Sequence, residues 1–255
     1  MDIKGKVIVI TGGAGGLGVA MAQELASAGA RLAIVDVNQE KLEQACADIV
    51  TAYQTVDLQG YAFDITDEED VVAGFKYILE DFGQVNGLIN SAGVLQDGML
   101  LKAQNGDVTD KMSLSQFQTV LNVNVTGSFL CGREAASAMI SSKQQGIIVN
   151  ISSIARHGNI GQTNYAASKA AVAAMSVGWA KELARYNIRS SAIAPGVIST
   201  EMTQSMKPEA IARIEKMIPS GRIGTPEEVA KAARFVIEND YFNGRILDLD
   251  GGLSF

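Results

Sequence analysis

The sequence predicts an α/β fold, a doubly wound parallel sheet of about seven strands with helices on both faces. Three observations carry this. Short β-branched apolar runs recur along the chain, the segments between them space their apolar residues as helices do, and a glycine-dense turn joins the first run to the first helical segment. The runs are Val7–Ile10, Leu32–Val35, Tyr61–Phe63, Gly87–Ile89, Ile147–Ile151, Arg189–Ile193 and Ile246–Leu249. Short apolar runs bounded by Gly, Asp, Asn or Ser suit parallel strands buried on both faces. Leu17, Met21, Leu25 and Ala28 mark the first helix, and Leu42, Ala45 and Ile49 the second. Thr66 with Glu69, Ser113 with Gln116 and Thr225 with Glu228 each fit a capping box, and Pro226 takes a first helical position. The segment 97–112 has no clear period; a connection of this length is a surface excursion or a functional one. No linker, repeat or charge block divides the 255 residues, so the expectation is one domain, 1–255.

Composition removes several classes of function. The hydrophobic fraction is 47%, enough for a core. The net charge of -7 argues against a nucleic-acid partner, which would need a basic footprint. No apolar run approaches the roughly 18 residues of a membrane span, and the short Val7–Ile10 run is no signal peptide. Cys46 and Cys131 stand apart and read as buried small hydrophobes, and the single histidine, His157, has no Cys or His neighbour to share a metal. A soluble, cytoplasmic protein without membrane or metal is expected.

The glycine turn is Thr11-Gly12-Gly13-Ala14-Gly15-Gly16-Leu17-Gly18. A strand, a glycine turn and a helix at the head of an alternating chain form a Rossmann-type dinucleotide cradle: glycines let a pyrophosphate reach the backbone N–H groups, and the helix N-terminus favours its charge. The turn lacks the Lys-Ser/Thr pair of a P-loop, but a methyltransferase also places glycines after its first strand, so the glycines alone do not settle the chemistry. The second run ends at Asp36, 18 residues after Gly18. A carboxylate there accepts hydrogen bonds from both adenosine ribose hydroxyls and repels a 2′-phosphate, and no Lys or Arg lies in Asp36-Val37-Asn38 or in the turn. The cofactor expected is NAD. Asp36 as a cap of the next helix is the plainer reading of the same residue.

Chemistry is suggested downstream. The run Ile147–Ile151 ends in Ser152-Ser153; Tyr165 and Lys169 follow four residues apart, sharing a helix face. A tyrosine ordinarily titrates near about 10. A neighbouring ammonium would lower that value and let the phenol exchange a proton with an alcohol or carbonyl oxygen, while a serine hydroxyl holds the same oxygen.

Together these motifs resemble the short-chain dehydrogenase/reductase family over essentially the whole chain. Thr11-Gly12-x-x-x-Gly16-x-Gly18 resembles its cofactor turn, with Gly15 and Leu17 beside it, and Asp64-Ile65 its adenine-contacting pair. Asn90-Ser91-Ala92-Gly93 resembles Asn-Asn-Ala-Gly, with Ser in place of the second Asn. Pro195-Gly196-Val197-Ile198-Ser199-Thr200 is similar to the segment that contacts nicotinamide, through Ile198 and Thr200. The resemblance implies a catalytic tetrad of Asn124, Ser153, Tyr165 and Lys169, with Asn124 helping to place a proton relay to the lysine. Relatives usually set the serine thirteen residues before the tyrosine, which selects Ser152; the strand-end pattern Asn-Ile-Ser-Ser selects Ser153. Strand neighbours face opposite sides, and a loop absorbs a deletion more easily than a strand absorbs a slip, so Ser153 is preferred.

The family resemblance implies an NAD-dependent oxidoreductase interconverting a secondary alcohol and a ketone. Gly161-Gln162-x-Asn164-Tyr165 and Gly221-Arg222-Ile223-Gly224-Thr225-Pro226 resemble 3-oxoacyl-carrier-protein reductases, which usually prefer NADP. The longer connection before Ser113 and the segment Ile237–Gly244 resemble NAD-using 3-hydroxyacyl-CoA dehydrogenases. Both imply a 3-hydroxyacyl or 3-oxoacyl thioester substrate. A steroid, polyol or sugar substrate is the alternative within the family, and a non-catalytic nucleotide-binding regulator the alternative outside it. The presence of all four tetrad residues argues against the regulator. Val94 to Gly98, the insertion that follows, Gln162 and Met202 to Met206 are where the resemblance places substrate contacts; methionines can form an adaptable apolar lid, but methionines at helical spacing more often pack a core. Small residues along Ser113–Ser141 and Asn164–Tyr186 allow close packing, and the resemblance implies a homotetramer through those helices.

Overall fold

The computed structural model describes residues 1–200, 203 and 208–253. Seven parallel strands form one sheet: β1 (Val7–Thr11), β2 (Arg31–Asp36), β3 (Leu58–Ala62), β4 (Gly87–Asn90), β7 (Gly146–Ile151), β8 (Ile188–Pro195) and β9 (Ile246–Leu249), in the order β3-β2-β1-β4-β7-β8-β9. The order reverses between β1 and β4, and ligands bind outside the carboxyl ends of strands at such a switch. The helices are α1 (Gly16–Ser27), α2 (Gln39–Ala52), α3 (Glu68–Phe82), α4 (Leu114–Leu121), α5 (Ser128–Ser141), α6 (Thr163–Glu182), α7 (Pro208–Met217) and α8 (Pro226–Glu238).

The predicted doubly wound sheet is therefore observed, and alternation explains its two-sided core. Ile8 and Ile10 of β1 face α1 and α8 with Met21, Leu25 and Val236. Val7 and Val9 face the other side with Val71, Phe75, Leu130 and Met139 from α3 and α5. Cys131 lies buried in that second layer, where burial pushes its thiol up to about 12; Cys46 is free and partly buried.

Polar side chains pin the centre of the sheet. Asn90 of β4 sits opposite Asn150 of β7 and donates to its Oδ1 at 2.8 Å and to the Ser128 carbonyl at 3.1 Å. Asn150 donates to Ser176 Oγ on α6 at 2.8 Å. The chain thus ties β4, β7 and α6 with buried hydrogen bonds, which low polarity strengthens.

Four elements differ from the sequence reading. The third strand runs over Leu58–Ala62, earlier than the Tyr61–Phe63 run, because its exposed Gln59 and Gly60 interrupt the apolar pattern. Helix α3 is capped by Asp67, whose carboxylate accepts from Glu69 N–H at 2.9 Å and Asp70 N–H at 3.1 Å. Thr66 instead donates its hydroxyl to Asp64 at 2.8 Å, so the Thr66 capping box does not form. Segment 97–112 contains an antiparallel hairpin, β5 (Leu101–Gln104) and β6 (Asp107–Lys111), exposed throughout. Between α4 and α5 the chain widens into a π-helical turn, Asn122–Gly127. Ser113 does cap α4, accepting from Gln116 N–H at 3.0 Å, and Thr225 N–H donates to Glu228 at 2.9 Å behind Pro226.

Candidate active site and cofactor cradle

The glycine turn shows two kinds of glycine. Gly12 has φ +63°, and a Cβ there would lie 2.7 Å from the Ala92 Cα; a Cβ on Gly18 would run into the Gly12 carbonyl oxygen. These two are required by the packing of the protein itself. Gly15 and Gly16 differ: the nearest atom to an added Cβ is 3.4 Å away at Gly15 and 4.0 Å away at Gly16, the latter being the Thr200 methyl across the cleft. The protein does not fill that space. The α1 N-terminus carries no side-chain cap and no acidic residue in its first turn. Its N–H groups, at Gly16, Leu17 and Gly18, suit a phosphate. The residues present thus fit a dinucleotide pyrophosphate.

The other predicted cofactor residues lie along the same carboxyl edge. Asp36 ends β2 and accepts from Ala14 N–H at 3.2 Å and Asn38 N–H at 3.1 Å. Asn38, not Asp36, caps α2, accepting from Lys41 N–H at 2.9 Å, so the capping reading of Asp36 does not hold. Val37 beside it is 71% exposed. Asp64 makes a tight turn, accepting from Thr66 N–H at 2.8 Å, while Ile65 is buried against Gly127. Ala92 donates its N–H to Thr11 Oγ1 at 3.4 Å. Asn90 does not line the cleft: its amide nitrogen is spent on Asn150 and Ser128. Gly196 is needed because a Cβ would meet the Asp250 Cα at 2.8 Å; Ile198 bridges to Gly224.

Beside the turn lies a cavity of about 670 Å³. Its walls include Ser153, Tyr165 and Lys169 together with Leu17, Pro195 and Thr200. Ser152 and Ser153 diverge, as strand geometry requires. Ser152 is buried and donates its hydroxyl to the Lys169 carbonyl at 2.7 Å. Burial raises the Tyr165 phenol, and the neighbouring Ser153 hydroxyl offsets part of that rise. Lys169, on the Tyr165 face, is buried with its ammonium 5.5 Å from the Tyr165 ring centroid and donating to the Ile151 carbonyl at 2.8 Å. Burial pushes Lys169 down to about 8.

The expected depression of Tyr165 is not present in this state. Burial raises the phenol, the Ser153 hydrogen bond partly offsets that, and the Asp97 carboxylate raises it further. Lys169 is held over the ring and tied to a carbonyl, so it is not what tunes the phenol here. Asn124 sits in the π-helical turn, fully buried; its Oδ1 accepts from Val94 N–H at 2.8 Å and its Nδ2 donates to the Val94 carbonyl at 3.1 Å and to Ser168 Oγ at 2.9 Å. A Cβ on Gly93 would lie 3.3 Å from Asn124 Oδ1 and 3.4 Å from Lys169 Nζ, so the two side chains flank one glycine.

The sequence reading missed a clamp of amides behind Tyr165. Gln116 Nε2 donates to the Gln96 and Asp97 carbonyls at 3.1 Å each, Asn164 Nδ2 to the Gln96 carbonyl at 2.9 Å, and Gln162 Nε2 to Asp97 at 3.1 Å. These tie the base of the β5–β6 hairpin to the first turn of α6. Each residue lay in a segment singled out for other reasons, but contacts this distant in sequence leave no local signal. Met202 and Met206 lie outside the described residues. No cluster of metal-binding side chains occurs among the described residues, and none of their helices is long and apolar enough to cross a membrane.

Residues 12–254 match a family described as enoyl-(acyl carrier protein) reductase. The chain is 37% identical to the 3-oxoacyl-[acyl-carrier-protein] reductase FabG of Thermotoga maritima, over 99% of each chain. The chain belongs to the short-chain dehydrogenase/reductase family. Within it, the human 3-oxoacyl-[acyl-carrier-protein] reductase is 37% identical over 98% of each chain, and carbonyl reductase family member 4 of Xenopus laevis 38% over 98% of each. The solved structure of a putative gluconate dehydrogenase from Agrobacterium tumefaciens superposes with a TM-score of 0.89 at 32% identity, covering 98% of this chain and 96% of that one. As a member of this family the protein is an oxidoreductase acting between alcohol and carbonyl groups with a nicotinamide nucleotide.

Proposed function

We propose that the protein is an NAD-dependent oxidoreductase that interconverts a 3-hydroxyacyl and a 3-oxoacyl thioester. The observation that carries it is the convergence of Ser153, Tyr165 and Lys169 on one cavity that Leu17 and Thr200 also line. Relatives along the whole chain named as 3-oxoacyl-[acyl-carrier-protein] reductases support the substrate class. The nicotinamide ring supplies or accepts the hydride when bound.

The residues divide the remaining work. Gly15, Gly16, Leu17 and Gly18 receive the pyrophosphate, with Gly12 shaping the turn. Asp36 and Val37 hold the adenosine ribose, Asp64 and Ile65 the adenine, and Asn90, Ala92 and Gly93 form the strand end beneath. Pro195, Gly196, Ile198 and Thr200 face the carboxamide. Tyr165 gives its proton to the substrate oxygen during reduction and takes it back during oxidation, Ser153 holds that oxygen, and Lys169 and Asn124 complete the proton path. A bound nicotinamide cation would add the positive charge that favours tyrosinate.

NAD rests on Asp36, whose carboxylate would repel a 2′-phosphate. A homotetramer built through α5 and α6 is part of the same reading; the groove lined by Phe129, Ala136, Ile140 and Trp179 on those helices offers an apolar surface to a second copy. The protein is expected to act in the cytoplasm on a small molecule, without nucleic acid or membrane. Turnover of acetoacetyl-CoA with NADH, compared with NADPH and with a polyol, steroid and sugar panel, tests the reading. Efficient use of a polyol without turnover of the thioester would sink it, and preference for NADPH would remove the role given to Asp36. Binding of NADH without turnover of any substrate would favour the regulator.

A further inference from the structure

The turn that carries Ser153 is held from an unexpected direction. After β7 the chain enters a short 3₁₀ turn, Ile154–His157, with Ser153 at its head. The Ser153 hydroxyl accepts from Ala155 N–H at 3.1 Å, and its carbonyl accepts from Arg156 N–H at 3.1 Å and from the Arg156 guanidinium at 3.3 Å. The other end of that guanidinium pairs with Asp248 at 2.7 Å. The Arg156 side chain is 12% exposed and Asp248 50%. Asp248 sits on β9, opposite Ala194 of β8, one residue before the Pro195–Gly196 bend.

We infer that Arg156 and Asp248 form a positioning pair for Ser153, a role that rests on the reading of Ser153 given above. The argument is geometric. A planar guanidinium bonded on both sides fixes the direction of the Ser153 carbonyl, because its donors are set in one rigid fork. The carbonyl and the hydroxyl belong to one residue, so fixing the first limits where the second aims. The Ile154 side chain, packed against Ile218 and Leu253, anchors the next residue of the turn. Arg156 therefore links the serine that meets the substrate oxygen to β9, beside the Pro195–Gly196 bend. Neither Arg156 nor Asp248 touches a reacting atom; both act through Ser153.

A double-mutant cycle tests this on the full chain, with acetoacetyl-CoA and NADH. Asp248→Asn and Arg156→Met should each lower kcat about 5- to 20-fold, less than the roughly 100-fold that a full 1 Å misplacement costs. KM and NADH binding, followed by fluorescence, should stay at wild-type values, which also shows that the variants fold. In a Ser153→Ala background the Asp248→Asn change should cost less than about 2-fold, because the group it positions is gone. An equal loss in both backgrounds overturns the inference. Loss in Ser153→Ala with none in Asp248→Asn or Arg156→Met overturns it alone. Wild-type kcat in Ser153→Ala overturns the reading of the site and this inference with it.

Discussion

Replacing Gly16 with alanine should separate folding from cofactor binding. Gly16 opens α1 with a negative φ, so alanine meets no backbone strain. The nearest atom to its Cβ is the Thr200 methyl at 4.0 Å, an ordinary contact. Alanine in a helix is worth about 0.5–1 kcal/mol over glycine. Stability should therefore hold or rise, with Tm moving up by about 2 °C in a chain of this size. The new methyl would stand where the pyrophosphate must approach. Overpacking of one methyl costs about 1–3 kcal/mol, and 1.4 kcal/mol is tenfold in affinity, so the NADH Kd should weaken about 10- to 100-fold. Gly18→Ala provides the contrast: its Cβ would collide with the Gly12 carbonyl, so the fold itself should lose stability. Thermal unfolding and NADH fluorescence titration on both variants read the two quantities. Wild-type NADH affinity in Gly16→Ala would refute the placement of the dinucleotide on this turn.

Other expectations concern the serines, the lysine and a helix cap. Ser153→Ala should lose about 100-fold or more in turnover through misplaced reacting oxygen with little change in stability, whereas Ser152→Ala should cost about 1 kcal/mol in a urea melt through its buried bond to Lys169; near-wild-type turnover in Ser153→Ala would reverse the assignment. Burial lowers Lys169 to about 8 in the fold, against its ordinary value of 10.5. From pH 8 to 10.5 the unfolded chain keeps a proton that the folded chain has released, so stability rises through that window, by about 3 kcal/mol at most. Denaturant melts of Lys169→Met across the same range should lack this rise. Asp67→Ala should cost about 1 kcal/mol by uncapping α3, while Thr66→Ala should leave it capped.

The strands buried on both faces were plain in the sequence because every position of β1, β4 and β7 is buried, and all but Thr11, Asn90 and Asn150 are apolar or glycine. The edge strand β3 was placed late, at Tyr61–Phe63 instead of Leu58–Ala62, because Gln59 and Gly60 are exposed and break the apolar signal. The hairpin hid for a related reason: no residue of β5 or β6 is buried. Its one local mark was Asn105-Gly106, which take φ +54° and +90°, the signature of a two-residue hairpin turn. Tyr165 and Lys169 were legible because one helix carries both. The facing of Ser153 was not, since it follows from where β7 ends against α6, and the Tyr165 environment includes Asp97, which sequence spacing did not connect to it.

The buried amides at the centre of the sheet also bear on how the chain finds its register. Asn90 and Asn150 can pair only when β4 and β7 are aligned as observed. A one-residue slip would turn Asn150 to the opposite face, leave Asn90 with only its bond to the Ser128 carbonyl and exchange the positions of Ser152 and Ser153. An Asn150 amide left without partners would cost about 1–3 kcal/mol. The asparagines therefore act as a check during assembly: a sheet zipped one notch out of place, and so presenting the wrong hydroxyl to the cleft, is too unstable to persist.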